Sequence, residues 1–280
     1  MEGFSKPPLV SIYISTCNRV RELKRAISSV LKQDFTNFEL LICDDASTDE
    51  TEEYVNSLIQ KDNRIRYFRN RENKGACATR NLGIFSAKGK YITGLDDDDE
   101  FCQNRVSLFL KNWRDEYSFI CANFFESYPN DNKRSFYKVN EKNISFDFKD
   151  MLFHNVASNQ VFTLTNRLKE IGGFDESVKR LQDWDTWLRL SYQYGGFLRL
   201  PQSTYIMHHD HEDGAARVSK SAGFSDSLIL LSKRNKDIYK GKGILFMRIQ
   251  ALSVDNKKGY HWKILWGVIW KVHSFIGLKR

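Results

Sequence analysis

Residues 9–45 have the sequence "LVSIYISTCNRVRELKRAISSVLKQDFTNFELLICDD", in which two short apolar runs flank an amphipathic stretch. The runs at 9–15 and 38–45 are rich in β-branched and aromatic residues, which is typical of buried strands. Five apolar residues between the runs recur at helical spacing, namely Val20, Leu23, Ile27, Val30 and Leu31. This order of strand, helix and strand predicts two parallel strands joined by a helix.

The same alternation continues toward residue 96. Ser47 followed by Glu50 resembles a capping box that opens a second helix, and apolar runs at 64–70 and 90–96 predict two more strands. We therefore expect an α/β domain whose mostly parallel sheet is flanked by helices. Ligands bind such a sheet in the crevice at the carboxyl ends of its strands.

Polar residues collect at the carboxyl ends of three predicted strands. Ser15 and Asn18 lie at the end of the first strand, Asp45 at the end of the second, and the aspartates 96–99 at the end of the fourth. A carboxylate such as Asp45 can accept a hydrogen bond from a nucleobase N–H or a ribose hydroxyl. Adjacent carboxylates repel one another unless a positive group offsets them. A divalent cation that also binds a diphosphate would be such a group.

Each of these clusters also has a purely structural explanation. The aspartate run could form a solvated loop or a calcium loop, although an EF-hand would need glycine and glutamate where Phe101 and Ser107 stand. Asp45 could satisfy free amide groups in a helix-capping turn. The segment "NKGACATRN" at 73–81 could simply begin a helix, from whose first turns Arg80 would project toward a phosphate.

The composition is that of an ordinary globular protein. The 280 residues, 41% of them hydrophobic, suffice for one large α/β domain or one domain with an appendage. The five cysteines include no CxxC pair, so neither a disulfide framework nor a zinc site is indicated, and we infer a reducing cytoplasm. We find neither a signal-peptide pattern nor a run of roughly eighteen apolar residues, and expect a chain that is neither secreted nor membrane-spanning.

Four segments together resemble the inverting nucleotide-sugar glycosyltransferases of family 2, which have the GT-A fold. They are "VSIYISTCNR" (10–19), "FELLICDDASTDET" (38–51), "NKGACATRNLGIFSAKGKYITGLDDDDEF" (73–101) and "GGFDES…LQDWDTWLRL" (172–190). They occur in the family's order and spacing over roughly residues 9–210. The resemblance implies a nucleotide-binding half at 1–100 and an acceptor half at 101–215 of one GT-A domain.

The resemblance also implies roles for the donor-site residues. Asp45 is similar to the aspartate that contacts the uracil ring, and Asp96, Asp97 and Asp98 resemble the DXD motif. In that motif the last aspartate, here Asp98, binds Mn²⁺ or Mg²⁺ on the donor diphosphate, and the earlier ones contact the ribose or sugar. Asp96 is counted as a second metal ligand, and Ser15, Asn18 and Arg80 as further donor-site residues. Cys17 stands where some relatives have a base-stacking aromatic.

The acceptor half is expected to supply a catalytic base. Inverting displacement of a nucleotide diphosphate needs a base to deprotonate the attacking hydroxyl. Asp183 lies near the start of a helix predicted within residues 180–195, where it could simply be an N-cap, but a carboxylate there can also take a proton. It resembles the family's base. Trp184, as an apolar platform, and Asp185, as a hydrogen-bond acceptor, would then flank the acceptor sugar.

The segment "YIMHHDHED" at 205–213 follows another short strand and contains three histidines. His208 or His209 could complete the metal shell, as a histidine after a late strand does in many GT-A enzymes. Solvated histidines on a loop are the alternative explanation.

The C-terminal region differs in charge from the rest of the chain. From residue 217 onward, fourteen Lys and Arg oppose three Asp, which gives +11 and leaves about −3 on residues 1–216. We therefore predict a boundary near 214–222 and a basic, aromatic helical region at 216–280. Residues 260–280 have a broad apolar face and a narrow polar strip, which is typical of a helix lying on an anionic membrane. A helix packed on the catalytic domain or on a second subunit of an oligomer is the alternative.

These observations predict a metal-dependent inverting transferase that moves sugar from a UDP-sugar to a saccharide acceptor. The acceptor is expected to be linked to a lipid diphosphate at the cytoplasmic membrane face, as in bacterial O-antigen or capsule assembly. A nucleic-acid-binding protein could use the +11 tail, but the acidic crevice would repel phosphates, so no nucleic-acid partner is expected. A non-catalytic nucleotide-sugar sensor would need Asp45 and Asp98 but not Asp183.

Overall fold

The computed structural model describes residues 7–129, 132–138, 142–157, 160–210 and 223–255. The strands are β1 (Val10–Thr16), β2 (Phe38–Asp44), β3 (Ile65–Arg69), β4 (Tyr91–Asp96), β5 (Glu100–Phe101), β6 (Ile120–Ser127), β7 (Lys133–Ser135), β8 (Ile144–Phe146), β9 (Phe162–Leu164) and β10 (Phe197–His208). The helices are α1 (Val20–Leu31), α2 (Thr51–Ile59), α3 (Ala76–Ser86), α4 (Arg105–Asn112), α5 (Thr165–Glu170), α6 (Gln182–Tyr194), α7 (Phe224–Arg234) and α8 (Lys236–Asp255). A single 3₁₀ turn is described at Phe148–Met151.

The strands form one sheet in the order β3-β2-β1-β4-β9-β6-β10-β5, with β7 beside β6 and β8 beside β10. The first four are parallel, and Ser15 at the end of β1 pairs with Cys43 on one side and Asp96 on the other. β9 runs antiparallel to β4 and β6, whereas β10 is parallel to β6. The α/β fold with a central sheet flanked by helices is thus confirmed. The sheet is mixed, and its parallel half, β3-β2-β1-β4, ends at the predicted polar residues.

Two hydrophobic clusters fill the interior, because successive side chains of a strand point to opposite faces of the sheet. Ile12 and Ile14 of β1 belong to the cluster that includes α1 and α4. Tyr13 belongs to the other cluster, which includes α3, α6, α7 and α8. Burial on both faces explains why β1 and β2 are continuous apolar runs rather than alternating ones.

The described part of the C-terminal region packs on the acceptor half. Leu228 and Leu231 of α7 and Phe246 and Met247 of α8 are buried in the same cluster as Trp187 of α6. Within the described residues, no helix is long and apolar enough to cross a membrane. The predicted membrane-binding segment at 257–280 lies outside the described residues, and the predicted boundary near 216 stays a prediction.

The predicted capping box at Ser47 is wrong. The helix begins later, at Thr51, whose N–H donates to the Asp49 side chain. Ser47 instead donates its hydroxyl to the buried Asp44 carboxylate and accepts a hydrogen bond from the Asn18 N–H. Ser47 therefore joins two loops at the sheet edge rather than capping a helix.

Candidate active site

The loops that follow β1 and β2 are tied together at the carboxyl edge of the sheet. Asn18 adopts a left-handed backbone conformation, with φ of 52°, and its N–H donates to Ser47 Oγ at 2.8 Å. Its Oδ1 accepts from the Thr48 N–H at 2.7 Å. Asparagine tolerates this conformation because its short polar side chain can form such local hydrogen bonds.

Asp45 organises the loop that leads into α3. This buried carboxylate accepts hydrogen bonds from Asn70 Nδ2, the Lys74 N–H and the Gly75 N–H, each at 2.8 Å. The neighbouring Cys17 thiol donates to the Asp45 carbonyl oxygen at 3.4 Å. Asp45 thus holds the loop before α3 in place, and its predicted contact with a uracil ring stays a prediction.

Arginines provide positive partners for the aspartate run. Arg19 Nη1 lies 3.1 Å from Asp97 Oδ1 and 3.0 Å from Asp98 Oδ2. Arg25 Nη2 donates to the Asp98 carbonyl oxygen. Burial raises the pKa of Asp97 to about 7, with the Arg19 charge opposing and the Asp98 charge adding to the rise. The carboxylates of Asp97 and Asp98 therefore converge on one point that already attracts a cationic group.

Asp99 has a different environment from the rest of the run. It is buried, with its Oδ2 accepting from the Tyr205 hydroxyl at 2.7 Å and its Oδ1 from the His208 N–H at 2.9 Å. Burial, with the charges of Asp98 and Asp96, raises the pKa of Asp99 well above its usual value. Asp99 thus anchors the run against β10 instead of facing the crevice.

Arg80 connects the aspartate run to the start of α6. Its guanidinium is nearly buried, with Nη2 2.9 Å from Asp96 Oδ1 and Nη1 3.4 Å from Asp183 Oδ1. Nη1 also donates to Gln182 Oε1 at 3.1 Å. Burial alone would lower the pKa of Arg80, but the charges of Asp183 and Asp96 outweigh it and raise the pKa. The predicted Arg80–phosphate contact stays a prediction, since these carboxylates bind the guanidinium here.

Asp183 lies in the first turn of α6 with 27% of its side chain exposed. Burial raises its pKa to about 7, and the Asp96 charge adds to the rise while Arg80 opposes it. A carboxylate whose pKa lies near neutrality, and which solvent can reach, is well suited to accept a proton. The helix start predicted around Asp183 is confirmed.

The structure does not support the acceptor-side roles of Trp184 and Asp185. Trp184 is only 5% exposed, and its Nε1 donates to the Met151 carbonyl oxygen, so its ring is part of the core rather than a platform. Asp185 is 1% exposed. Its carboxylate accepts from Arg189 Nε at 3.0 Å and Asn235 Nδ2 at 2.8 Å, which joins α6 to the turn between α7 and α8.

The two histidines point their ring nitrogens at glutamates. His208 Nε2 lies 2.8 Å from Glu100 Oε1, and His209 Nε2 lies 3.2 Å from Glu126 Oε1. The His209 ring also stacks on Tyr128, with the ring centroids 4.6 Å apart. These rings therefore do not join the aspartates in a ligand set in this structure.

The aspartate run fits a divalent cation held with few protein ligands. Over the described ranges, no three His, Cys, Asp or Glu side chains are gathered closely enough to bind a metal ion by themselves. Mg²⁺ is commonly held by only one or two carboxylates together with substrate phosphates and waters. Asp97 and Asp98, which already share one cationic partner, supply hard oxygen ligands of this kind.

Sequence reasoning missed several residues of this site. Arg19 directly follows Asn18, and charge complementarity with the aspartate run could have identified it. No charge or motif marks Tyr13, Gln160 or Tyr205 as a site residue, because each lies in or beside an ordinary apolar strand.

Comparison with known proteins identifies the family. Residues 11–170 match the family described as Glycosyl transferase family 2. This chain belongs to glycosyl transferase family 2. A relative from Escherichia coli, named as a colanic acid biosynthesis glycosyl transferase WcaA, is 35% identical over 259 residues, which is 90% of both chains. The chain is accordingly a glycosyltransferase.

A second relative is named as the GalNAc(5)-diNAcBac-PP-undecaprenol β-1,3-glucosyltransferase of Campylobacter jejuni. It is 32% identical over 171 residues, which is 60% of this chain and 55% of the relative. Among solved structures, S. aureus TarS 1–349 in complex with UDP-GlcNAc aligns with a TM-score of 0.66 at 17% identity, over 87% of this chain and 71% of that 1–349 chain. The mannosyltransferase PcManGT from Pyrobaculum calidifontis, in complex with GDP-Man and Mn²⁺, aligns with a TM-score of 0.58 at 14% identity, over 95% and 70%. These likenesses confirm the GT-A type of fold.

Proposed function

We propose that this family 2 protein is a metal-dependent inverting transferase that moves a sugar from a UDP-sugar to a hydroxyl of a saccharide acceptor. The observation that supports this best is the single guanidinium of Arg80 between Asp96 and Asp183. It brings the end of β4, where the donor would bind, close to the first turn of α6, where a proton would be accepted. A sugar-binding protein without catalysis would have no need of the second carboxylate.

On the donor side, Asp98 would bind Mn²⁺ or Mg²⁺, and Asp96 and Asp97 would contact the cation, the ribose or the sugar. The cation, when bound, supplies positive charge that stabilises the leaving diphosphate. Arg19 lies within ion-pair distance of both Asp97 and Asp98, so positive charge is already favoured at the point where the cation would bind. Asp45, Ser15 and Asn18 line the edge at which the nucleoside would lie.

On the acceptor side, Asp183 would accept the proton of the attacking hydroxyl. Its position in the first turn of α6 puts the positive end of the helix dipole beside the ionised carboxylate. Arg80 limits the rise in the pKa of Asp183, so a useful fraction stays ionised at neutral pH. An attack opposite the leaving diphosphate would invert the anomeric centre.

The acceptor is proposed to be a saccharide on a lipid diphosphate, in the synthesis of a bacterial surface polysaccharide. The names of the two relatives support this, since one refers to colanic acid biosynthesis and the other to a PP-undecaprenol substrate. The basic, aromatic sequence of residues 257–280 would bind the protein peripherally to the anionic cytoplasmic face of the membrane. In this proposal residues 1–215 form the catalytic domain and 216–280 the membrane-proximal region.

A ligand screen tests the proposed function. Purified protein with Mn²⁺ is exposed to a panel of nucleotide sugars, and thermal stabilisation and slow release of the nucleoside diphosphate are recorded. We expect a UDP-sugar to stabilise the protein and to be hydrolysed slowly, both only with the metal. Stabilisation by a nucleotide sugar that EDTA does not affect would contradict the metal-dependent part of the proposal.

A further inference from the structure

A buried glutamine contacts the first aspartate of the run. Gln160, two residues before β9, is only 1% exposed. Its Nε2 donates to Asp96 Oδ1 at 3.1 Å, and its Oε1 accepts from the Tyr13 hydroxyl at 3.0 Å. Gln160 therefore links the middle of β1 to the end of β4 by side-chain hydrogen bonds alone.

The chemistry of its two partners fixes the orientation of the Gln160 amide. Asp96 Oδ1 already accepts from the Arg80 guanidinium, so the Gln160 group that faces it must be the donating NH₂. The Tyr13 phenol keeps its proton at neutral pH and donates to the amide oxygen. The chain of hydrogen bonds thus has one direction, from Tyr13 through Gln160 to Asp96.

The hydrogen-bonded side chains of Tyr13 and Gln160 are packed tightly against strand β4. A Cβ atom on Gly94, two residues before Asp96 in β4, would lie 2.3 Å from Gln160 Oε1 and 2.5 Å from Tyr13 Cζ. The backbone of Gln160 is also fixed, because Arg105 Nη2 donates to its carbonyl oxygen at 2.9 Å. Glycine at position 94 is therefore what lets the amide pack beside the strand that ends in Asp96.

These contacts treat the two oxygens of Asp96 unequally. Oδ1 accepts from both Arg80 Nη2 at 2.9 Å and Gln160 Nε2 at 3.1 Å. Among the described residues, the hydrogen-bond contact of Oδ2 is a long one, at 3.5 Å from the Tyr205 hydroxyl, which lies closer to Asp99, at 2.7 Å. Oδ2 is therefore the oxygen that can accept or ligate something else.

We propose that Gln160 is a positioning residue that holds Asp96 Oδ1 and so presents Oδ2 to the nucleotide-sugar donor. This inference rests on the proposed donor role of Asp96. In this proposal the buried amide of Gln160, which belongs to the acceptor half of the chain, sets the orientation of the Asp96 carboxylate. Removal of the amide would let the carboxylate turn toward Arg80 and lose its alignment with the donor.

The test is the affinity for UDP in the presence of Mn²⁺, measured by calorimetry on folded protein. Gln160→Leu keeps most of the volume and removes the amide donor. We expect the dissociation constant of this variant for UDP, or for the UDP-sugar that the wild type hydrolyses, to rise about tenfold. This is the effect expected for loss of one hydrogen bond to a charged group. An unchanged dissociation constant overturns the proposal.

Gln33→Leu is the matched control. Gln33 is also buried, and its amide donates to the Cys102 carbonyl oxygen and accepts from the Val106 N–H, away from Asp96. This variant should lose thermal stability as Gln160→Leu does, while its affinity for UDP stays that of the wild type. An equal loss of affinity in both variants would assign the effect to general destabilisation and overturn the positioning role.

Tyr13→Phe is a second test of the proposal, and it can be used even if Gln160→Leu does not fold. It removes only the hydroxyl that orients the amide, and we expect the dissociation constant to rise about fivefold. The double variant should bind no more weakly than Gln160→Leu alone, because both act through one contact. If the effects of the two substitutions on the dissociation constant are fully additive, or if Tyr13→Phe has wild-type affinity, the proposal is overturned.

Failure of the wild type to bind UDP with Mn²⁺ would instead overturn the proposed function itself.

Discussion

Asp183 and Asp96 lie on opposite sides of one buried guanidinium, that of Arg80. Each carboxylate raises the pKa of Arg80, while Arg80 restrains the rise that burial produces in Asp183. Loss of the Arg80 charge would therefore leave two carboxylates facing each other in a crevice. The order of residues in the chain gives no hint of this bridge, because its three members are far apart in sequence.

The pKa of Asp183 sets a pH dependence for turnover. A carboxylate accepts a proton only when it is ionised, so turnover should fall about tenfold per pH unit below the Asp183 pKa of about 7.

Asp183→Asn removes the base, and we expect turnover to fall about a hundredfold or more with UDP affinity unchanged. Steady-state rates over a pH series, with calorimetry for UDP, check both. Parallel loss of UDP affinity would argue against the catalytic role.

Asp98 should be needed for the metal but not for the fold. Its charge contributes to the raised pKa of Asp97, so Asp98→Ala relieves a repulsion while Arg19 keeps Asp97 as a partner. We expect an unchanged melting temperature and loss of Mn²⁺-dependent UDP binding, measured by thermal shift with and without the metal. Activity that persists undiminished in EDTA would refute the metal-dependent reading.

At the scale of elements, α6 shows what a sequence pattern can and cannot predict. The apolar spacing predicts the helix and places Asp183 in its first turn, because periodicity is a local property. It cannot tell which neighbours cover the helix. Trp184 and Asp185 are enclosed by Met151 and Asn235, which come from distant segments.

Asp185 should therefore matter for stability and not for the acceptor. Removing its carboxylate breaks the hydrogen bonds from Arg189 Nε and Asn235 Nδ2, although both side chains also donate to backbone carbonyl oxygens. Asp185→Ala should therefore lower the free energy of unfolding by about 1.5–3 kcal/mol, as for loss of a hydrogen bond to a charged group. Chemical denaturation measures this, with the exposed Asp237→Ala as control. If Asp185→Ala has wild-type stability and a raised KM for the acceptor, Asp185 contacts the acceptor sugar as its sequence position predicts.

The strands were more predictable than the contacts at their ends. The first four were predicted within about a residue, since fully buried parallel strands are continuous apolar runs. Ser47 was misassigned because its spacing to Glu50 suits a capping box equally well as a loop. The Asn18 N–H, its actual partner, comes from a different strand's loop, which the local pattern does not include.

At the scale of the whole molecule, charge is distributed unevenly along the chain. Residues from 217 onward carry a net +11, and the crevice edge carries the aspartates. The described helices α7 and α8 use apolar residues to pack on the acceptor half. Beyond them the sequence has six basic residues, and two of its three tryptophans there belong to the proposed membrane-binding face; these residues are Lys257, Lys258, Lys263, Lys271, Lys279, Arg280, Trp262 and Trp266.

Truncation before Lys257 tests the proposed membrane contact. Each basic residue near an anionic surface contributes about 1 kcal/mol, so the truncated protein should no longer bind anionic liposomes. Transfer to a lipid-linked acceptor should slow, and transfer to a short soluble analogue should not. In the full chain, high salt and Trp266→Ala should each weaken liposome binding. A truncated protein that unfolds or aggregates would assign the segment to the core instead.

The central claim is metal-dependent transfer with inversion, and the anomeric configuration of the product tests it most directly. The 280-residue protein is incubated with Mn²⁺, an acceptor analogue and the UDP-sugar that it hydrolyses, and the anomeric configuration of the new linkage is determined by NMR. From an α-linked donor we predict a β-linked product, formed by direct displacement with Asp183 as base, and no product with EDTA. An α-linked product, or one formed equally well without metal, would contradict the account.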